Sequence, residues 1–168
     1  YGQLGLNNRT DYSSPVQIPG TTWTNKIVDK WYGATAVKTD GTLWSWGYST
    51  VGNAGDNTNI KRSSPVQIPG TTWSKVSSST YTVLATRTDG TLWAWGYNAH
   101  GELAKNSVND HQSSPVQIPG TSWSTPISVG KGALGAIRTD GTLWTWGRNE
   151  HGELGVPSVG TANRSSPI

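Results

Sequence analysis

The segment Thr-Asp-Gly-Thr-Leu-Trp-x-Trp-Gly occurs three times, at Thr39–Gly47, Thr88–Gly96 and Thr139–Gly147, and it constrains the fold more than any other feature. A second segment, Ser-Ser-Pro-Val-Gln-Ile-Pro-Gly, keeps step with it from Ser13, Ser63 and Ser113, and Ser165–Ile168 opens a fourth copy. Successive starts lie 50, 50 and 52 residues apart. Self-similarity at this period belongs to solenoids, propellers and arrays, in which only stacked neighbours bury the apolar faces of one recurring unit. Residues 1–168 therefore read as one repeat array with units 13–62, 63–112 and 113–164. Residues 1–12 are the end of a preceding unit and 165–168 the start of a fourth.

Each unit reads as four short strands. Asp40-Gly41, Asp89-Gly90 and Asp140-Gly141 predict a two-residue hairpin, because Gly accepts positive φ. Its first arm is Ala34–Lys38, Val83–Arg87 or Leu134–Arg138, and its second is Thr42–Trp46, Thr91–Trp95 or Thr142–Trp146. Period-two geometry puts Trp44 and Trp46 on one face and Leu43 and Ser45 on the other. Upstream, Pro-Val-Gln-Ile predicts an edge strand closed by a Pro-Gly turn. Trp23, Trp73 and Trp123 then lead into a weaker strand such as Lys26–Val28 or Ile127–Val129.

Four antiparallel strands per unit, with no apolar spacing of 3.6, predict an all-β chain of β-propeller blades and exclude a helical solenoid. The chain holds three blades plus a remnant. Leaving one Trp uncovered on an end blade exposes roughly 150–250 Å², or roughly 4–6 kcal/mol gross. Three blades are thus expected to be part of a larger ring, completed by further blades of the same polypeptide or by other copies. Gly2–Pro15 and Gly152–Pro167 are the same part of the repeat, so two copies would meet with redundant residues, which favours further blades. A start at Tyr1 and the absence of Met fit a portion of something longer.

Composition narrows the chemistry. A net charge of +3 comes from basic residues scattered from Arg9 to Arg164, so no stripe tracks a phosphate backbone and no nucleic-acid partner is expected. Without cysteine there are no disulfides, thiolate metal sites or cysteine nucleophiles. No apolar run approaches the roughly 18 residues of a membrane span. No nucleophile sits with a base, no Gly-rich phosphate loop occurs and no metal cluster emerges. The reading is non-enzymatic, with no catalytic, cofactor or metal residues.

Several polar groups have a structural reading. His100-Gly101-Glu102 and His151-Gly152-Glu153 pair an imidazole with a carboxylate, but they occupy a repeated turn and lack third and fourth partners. His111 reads as a solvated loop residue. Asp40, Asp89 and Asp140 belong to their turns. Asp56-Asn57-Thr58-Asn59 lacks the spacing and the Glu of an EF-hand loop. Asn8 and Asn163 fit the glycosylation sequon, which matters only in a secreted eukaryotic chain. Trp44, Trp46 and their copies read as core.

Binding candidates lie where the units differ. Between Trp-Gly and the next Ser-Ser-Pro stand loops of 15, 16 and 17 residues, Tyr48–Arg62, Tyr97–Gln112 and Arg148–Arg164. Loops on a rigid scaffold are the usual seat of binding. Trp31, which has no repeat counterpart, and its neighbour Tyr32 join the loop-opening Tyr48, Tyr97 and Arg148 as candidates.

The tails Trp46-Gly47 to Gly55, Trp95-Gly96 to Ala104 and Trp146-Gly147 to Gly155 resemble the "Trp-Gly-x-Asn-x-x-Gly-Gln-Leu-Gly" hallmark of the regulator of chromosome condensation repeat family. Tyr1-Gly2-Gln3-Leu4-Gly5 matches its end without change. Kelch repeats have a similar period but carry a Gly-Gly doublet, absent here. The resemblance implies a propeller, seven-bladed in the best-known members, some of which are nucleotide exchange factors that bind chromatin. Those members place a His where this chain has Gly33, Thr82 and Ala133, and Ala104 replaces a Gly. The near-identical units look more like bacterial surface and bacteriophage members. The resemblance therefore implies a structural or recognition module, located on a virion or bacterial surface and presenting the loops to a protein or glycan. The alternatives are an intracellular exchange-type regulator and a carbohydrate-binding module using Trp31, Tyr32, Tyr48 or Tyr97.

Overall fold

The computed structural model describes residues 1–128 and 130–168. Among the described residues, eleven strands form three antiparallel sheets. The first holds β1 (Trp23–Lys30), β2 (Gly33–Lys38), β3 (Leu43–Gly47) and β4 (Arg62–Ile68) in that spatial order. The second repeats it with β5 (Trp73–Ser78), β6 (Thr82–Arg87), β7 (Leu92–Gly96) and β8 (Gln112–Ile118). In the third, β9 (Trp123–Ser128), β10 (Ala133–Arg138) and β11 (Leu143–Gly147) pair in sequence. The weaker strand expected over Ile127–Val129 is β9 as far as Ser128; Val129 lies outside the described residues. Strands β1, β5 and β9 touch in succession, so the sheets fan out from a shared inner edge as propeller blades do.

Blade and repeat are offset. The Pro-Val-Gln-Ile strand pairs backward, with Leu43↔Ile68 and Ser45↔Val66 in the first blade and Leu92↔Ile118 in the second. It closes the blade of the preceding repeat, and Pro65 sits beside the register shift between Ser45 and Gly47. The third blade is closed in the same way by the chain's last residues: Gly147 exchanges backbone hydrogen bonds with Arg164, and Thr145 with Ile168. The first copy, Pro15–Ile18, forms no strand and pairs with none of the three sheets.

The Asp-Gly turn also differs from expectation. Lys38 N–H donates to Thr42 O and Gly41 N–H to Lys38 O, with positive φ at Gly41 but not at Asp40. This is a three-residue loop ending in a left-handed Gly. Asp40 Oδ1 accepts from Thr42 N–H at 2.9 Å and from the Thr42 hydroxyl at 2.6 Å, and Asp89 and Asp140 repeat the pattern.

Each blade turns an aliphatic face to the indole face of the next. Val37, Leu43 and Ile68 pack on Trp73, Ala85 and Trp95, and Leu84, Leu92 and Ile118 pack on Trp123, Ala136 and Trp146. On the third blade this aliphatic face is uncovered: Leu143 is 57% exposed, where Leu43 and Leu92 are 0%. On the opposite flank, residues of the N-terminal tail do for the first blade what repeat loops do elsewhere. Trp46 Nε1 donates to Gln3 O at 3.0 Å, as Trp146 Nε1 does to Glu102 O at 2.8 Å. Asn7, Asn57 and Asn106 N–H donate in turn to Ser63, Ser113 and Ser165 O, latching each loop to the next blade.

Candidate functional site

The two ends of the blades are built differently. At the hairpin end, a cation lies over two indoles of its own blade: Lys38 over Trp23 and Trp44, Arg87 over Trp73 and Trp93, and Arg138 over Trp123 and Trp144. The second indole of each pair, in strand β3, β7 or β11, donates its Nε1–H to the Thr of the turn. Period-two alternation holds there, and the tryptophans of the repeated strands serve packing.

At the opposite end the Gly of each Trp-Gly pair sets the geometry. Gly47 has φ +95, and a Cβ there would lie 2.2 Å from Tyr32 O; Gly96 and Gly147 repeat the close approach to Tyr81 and Gly132. The bend lets Tyr48 N–H donate to Tyr32 O, Tyr97 N–H to Tyr81 O and Arg148 N–H to Gly132 O. Residues before β2, β6 and β10 are thereby brought beside the first residue of each variable loop.

An aromatic strip results. Tyr1 lies 5.1 Å from Tyr32 and 5.3 Å from Tyr48 between ring centroids, Trp31 stacks on Tyr32 at 5.5 Å, and Trp31 meets Tyr81 at 4.9 Å. Tyr81 continues to Tyr48 and Tyr97, and Tyr97 to His100 and His111. Trp31 and Tyr32 are 47% and 45% exposed. Desolvation, then the hydroxyls of Tyr48, Tyr32 and Tyr97, push the Tyr81 phenol up. Of the five residues singled out in the sequence, four are in this strip. Arg148 borders it, sharing a hollow of about 180 Å³ with Tyr81, Tyr97, His100 and Glu102.

Sequence reasoning missed Tyr1 and Tyr81. Tyr81 holds the place of Tyr32, directly before the small-residue strand, and that shared position was the available signal. It also missed Lys30. This lysine is buried at the end of β1, donating to Ser45 Oγ at 2.6 Å and Asn53 O at 2.9 Å. Desolvation lowers its pKa to about 7 against a smaller opposing pull from Asp56.

The polar candidates sort by contact. His100 N–H donates to Glu102 Oε2 and its Nδ1 lies 3.0 Å from Oε1, while His151 N–H donates likewise to Glu153, so both Glu side chains clamp the repeated turn. His111 is exposed but not the solitary solvated residue expected: its Nδ1 accepts from Asn98 N–H at 3.0 Å and its ring stacks on Tyr97 at 4.7 Å. Asp56 accepts from Thr58 and pairs with Arg62, pinning its own loop. Among the described residues no group of three or more His, Asp or Glu is placed to hold a metal ion. Among the described residues no helix is long and apolar enough to cross a membrane.

Sequence profiles of the Regulator of chromosome condensation (RCC1) repeat match residues 89–136 and 140–168, and a second profile of that repeat matches 73–102. Together they span more than half of the chain. The chain belongs to the RCC1 repeat family. Human WBSCR16 is similar over 100% of this chain and 44% of its own, at 19% identity and a TM-score of 0.80. Prp20p from Saccharomyces cerevisiae is similar over 92% of this chain and 41% of its own, at 17% identity and a TM-score of 0.74. The RCC1-repeat chain thus spans less than half the length of either structure, and at these identities the likeness is one of fold. No curated protein sequence matches it.

Proposed function

We propose that this RCC1-repeat chain is a non-enzymatic recognition module that presents the loop-bearing end of its blades to a partner. One observation carries the reading: exposed aromatics and the loops of unequal length share one end, while the opposite end is nearly the same in every repeat. Tyr and Trp in such surfaces dominate binding energy. A protein partner is favoured by two structures of the yeast relative. One describes the binding properties of Prp20p to Gsp1p and histones. The other has Kap60 bound to yeast RCC1 (Prp20), at 19% identity over 80% of this chain and 32% of that one, with a TM-score of 0.67.

The location on a virion or bacterial surface is also a proposal, supported by the near-identical units. A glycan partner is the second reading, favoured by the exposed faces of Trp31 and Tyr32. The bare Leu143 flank supports completion of the ring by further blades or other copies, checked by the mass of the native assembly. Exchanging loop 97–112 for loop 48–62, and likewise each other pair, tests the binding assignment. Loss of binding supports it; full binding by all three exchanged proteins overturns it, and a glycan array that stays blank removes the sugar reading.

A further inference from the structure

Between the first and second blades, five aromatic residues, Tyr1, Trp31, Tyr32, Tyr48 and Tyr81, line a hollow of about 210 Å³. Ring faces carry the negative lobe of the aromatic quadrupole and attract cations, and all-aromatic walls suit quaternary ammonium groups, which have no N–H to satisfy. A cation of the chain already lies against these rings. Lys61 Nζ is 4.6 Å from the centroid of Tyr1 and 5.3 Å from that of Tyr48.

The backbone supplies an independent observation. Tyr32 is held at φ +54, a left-handed conformation that a bulky side chain avoids, where the third repeat has Gly132 at φ +82. Strain of this kind concentrates at ligand clamps. The next inter-blade step does not reproduce the walls. There Thr80 stands for Trp31, Tyr81 for Tyr32, Gly132 for Tyr81 and Val51 for Tyr1, while the charged Lys131, Arg148 and Glu102 border the hollow, so its walls are not all aromatic.

We propose that Tyr1, Trp31, Tyr32, Tyr48 and Tyr81 form a single aromatic cage for a quaternary ammonium group, beside which the Lys61 ammonium already lies over the Tyr1 and Tyr48 rings. The proposal rests on the reading of this end as the recognition surface and names the chemistry of one ligand there.

Titration calorimetry with choline and with its neutral isostere 3,3-dimethyl-1-butanol tests the cage. Choline binds saturably, the isostere at least about tenfold more weakly, and Trp31→Ala or Tyr48→Ala lowers choline affinity about tenfold. Lys61→Met raises it severalfold by removing a neighbouring positive charge. Tyr32→Gly separates function from folding: the thermal midpoint holds or rises as strain is released, while choline affinity falls. Equal affinity for the isostere, no choline binding by the Lys61→Met protein, or undiminished binding by Tyr32→Gly overturns the cage. A trimethyl-lysine peptide and phosphatidylcholine vesicles distinguish a protein-borne from a lipid-borne group, preference for either supporting the cage. If choline fails while loop exchange still abolishes partner binding, the cage falls and the recognition surface stands.

Discussion

The hairpin end and the loop-bearing end of these blades carry similar numbers of aromatic rings and use them in opposite ways. At the hairpin end every indole is fixed twice, by a cation over its face and by a partner for its Nε1–H or a buried wall, in three nearly identical copies. At the loop-bearing end the rings touch chiefly one another, half in water, and the copies diverge from Tyr32 to Tyr81 to Gly132. Repetition marks the residues that blades need from each other; divergence marks those they do not.

The same substitution at both places breaks the comparison most forcefully. Trp73, at the hairpin end, is 2% exposed between two blades, so Trp73→Ala is expected to cost about 3–5 kcal/mol in chemical denaturation. Trp31→Ala, at a ring 47% exposed, is expected to cost less than about 1 kcal/mol and to act on binding. Comparable losses at the two sites would show that the strip is part of the blade core.

Lys30, buried and next to Trp31 in the sequence, sharpens the contrast through pH. Its folded pKa, about 7, is below the ordinary 10.5, so over that interval the unfolded chain binds more protons than the folded one. Stability therefore rises with pH from about 7 toward 10.5, and the contribution is lost as pH falls to 7. The slope approaches about 1.4 kcal/mol per pH unit. Lys30→Met is expected to flatten the profile between neutral and moderately alkaline pH. An unchanged slope would mean that the ammonium is solvated in the folded state.

How much of this was legible follows the range of the interactions. The strands around Asp40-Gly41 and Leu43–Gly47 were readable because their signals are local: a turn residue, a left-handed Gly and alternation. The offset between repeat and blade was not, because β4 chooses its partner across a loop and the repeat pattern reads the same in either frame. Trp31, Tyr32, Tyr48 and Tyr97 stood out as singular or loop-opening residues, yet their adjacency depends on the approach of Gly47 to Tyr32 O, which no spacing encodes. Lys30 gave no signal at all. Its counterparts are Ser79 and Gly130, and a lone lysine in a polar strand ordinarily lies in water.

The smallest expected effect is at Ala104, where the chain departs from its own pattern. Gly5, Gly55 and Gly155 adopt φ of +69, +78 and +67, and Ala104 is held at +53. A left-handed L-residue costs roughly 1–2 kcal/mol, partly offset because Gly loses roughly 0.5–1 kcal/mol more on folding. Ala104→Gly is therefore expected to gain up to about 1 kcal/mol, a rise of roughly 2–4 °C in Tm. The opposing term is the methyl group, buried in the cluster that holds Trp146. A fall in Tm would show that this packing outweighs the strain, and that the second loop diverged to seat its neighbour's indole. A rise would leave Ala104 as strain borne at the loop-bearing end, beside a strip that holds Tyr32 in the same unfavourable region.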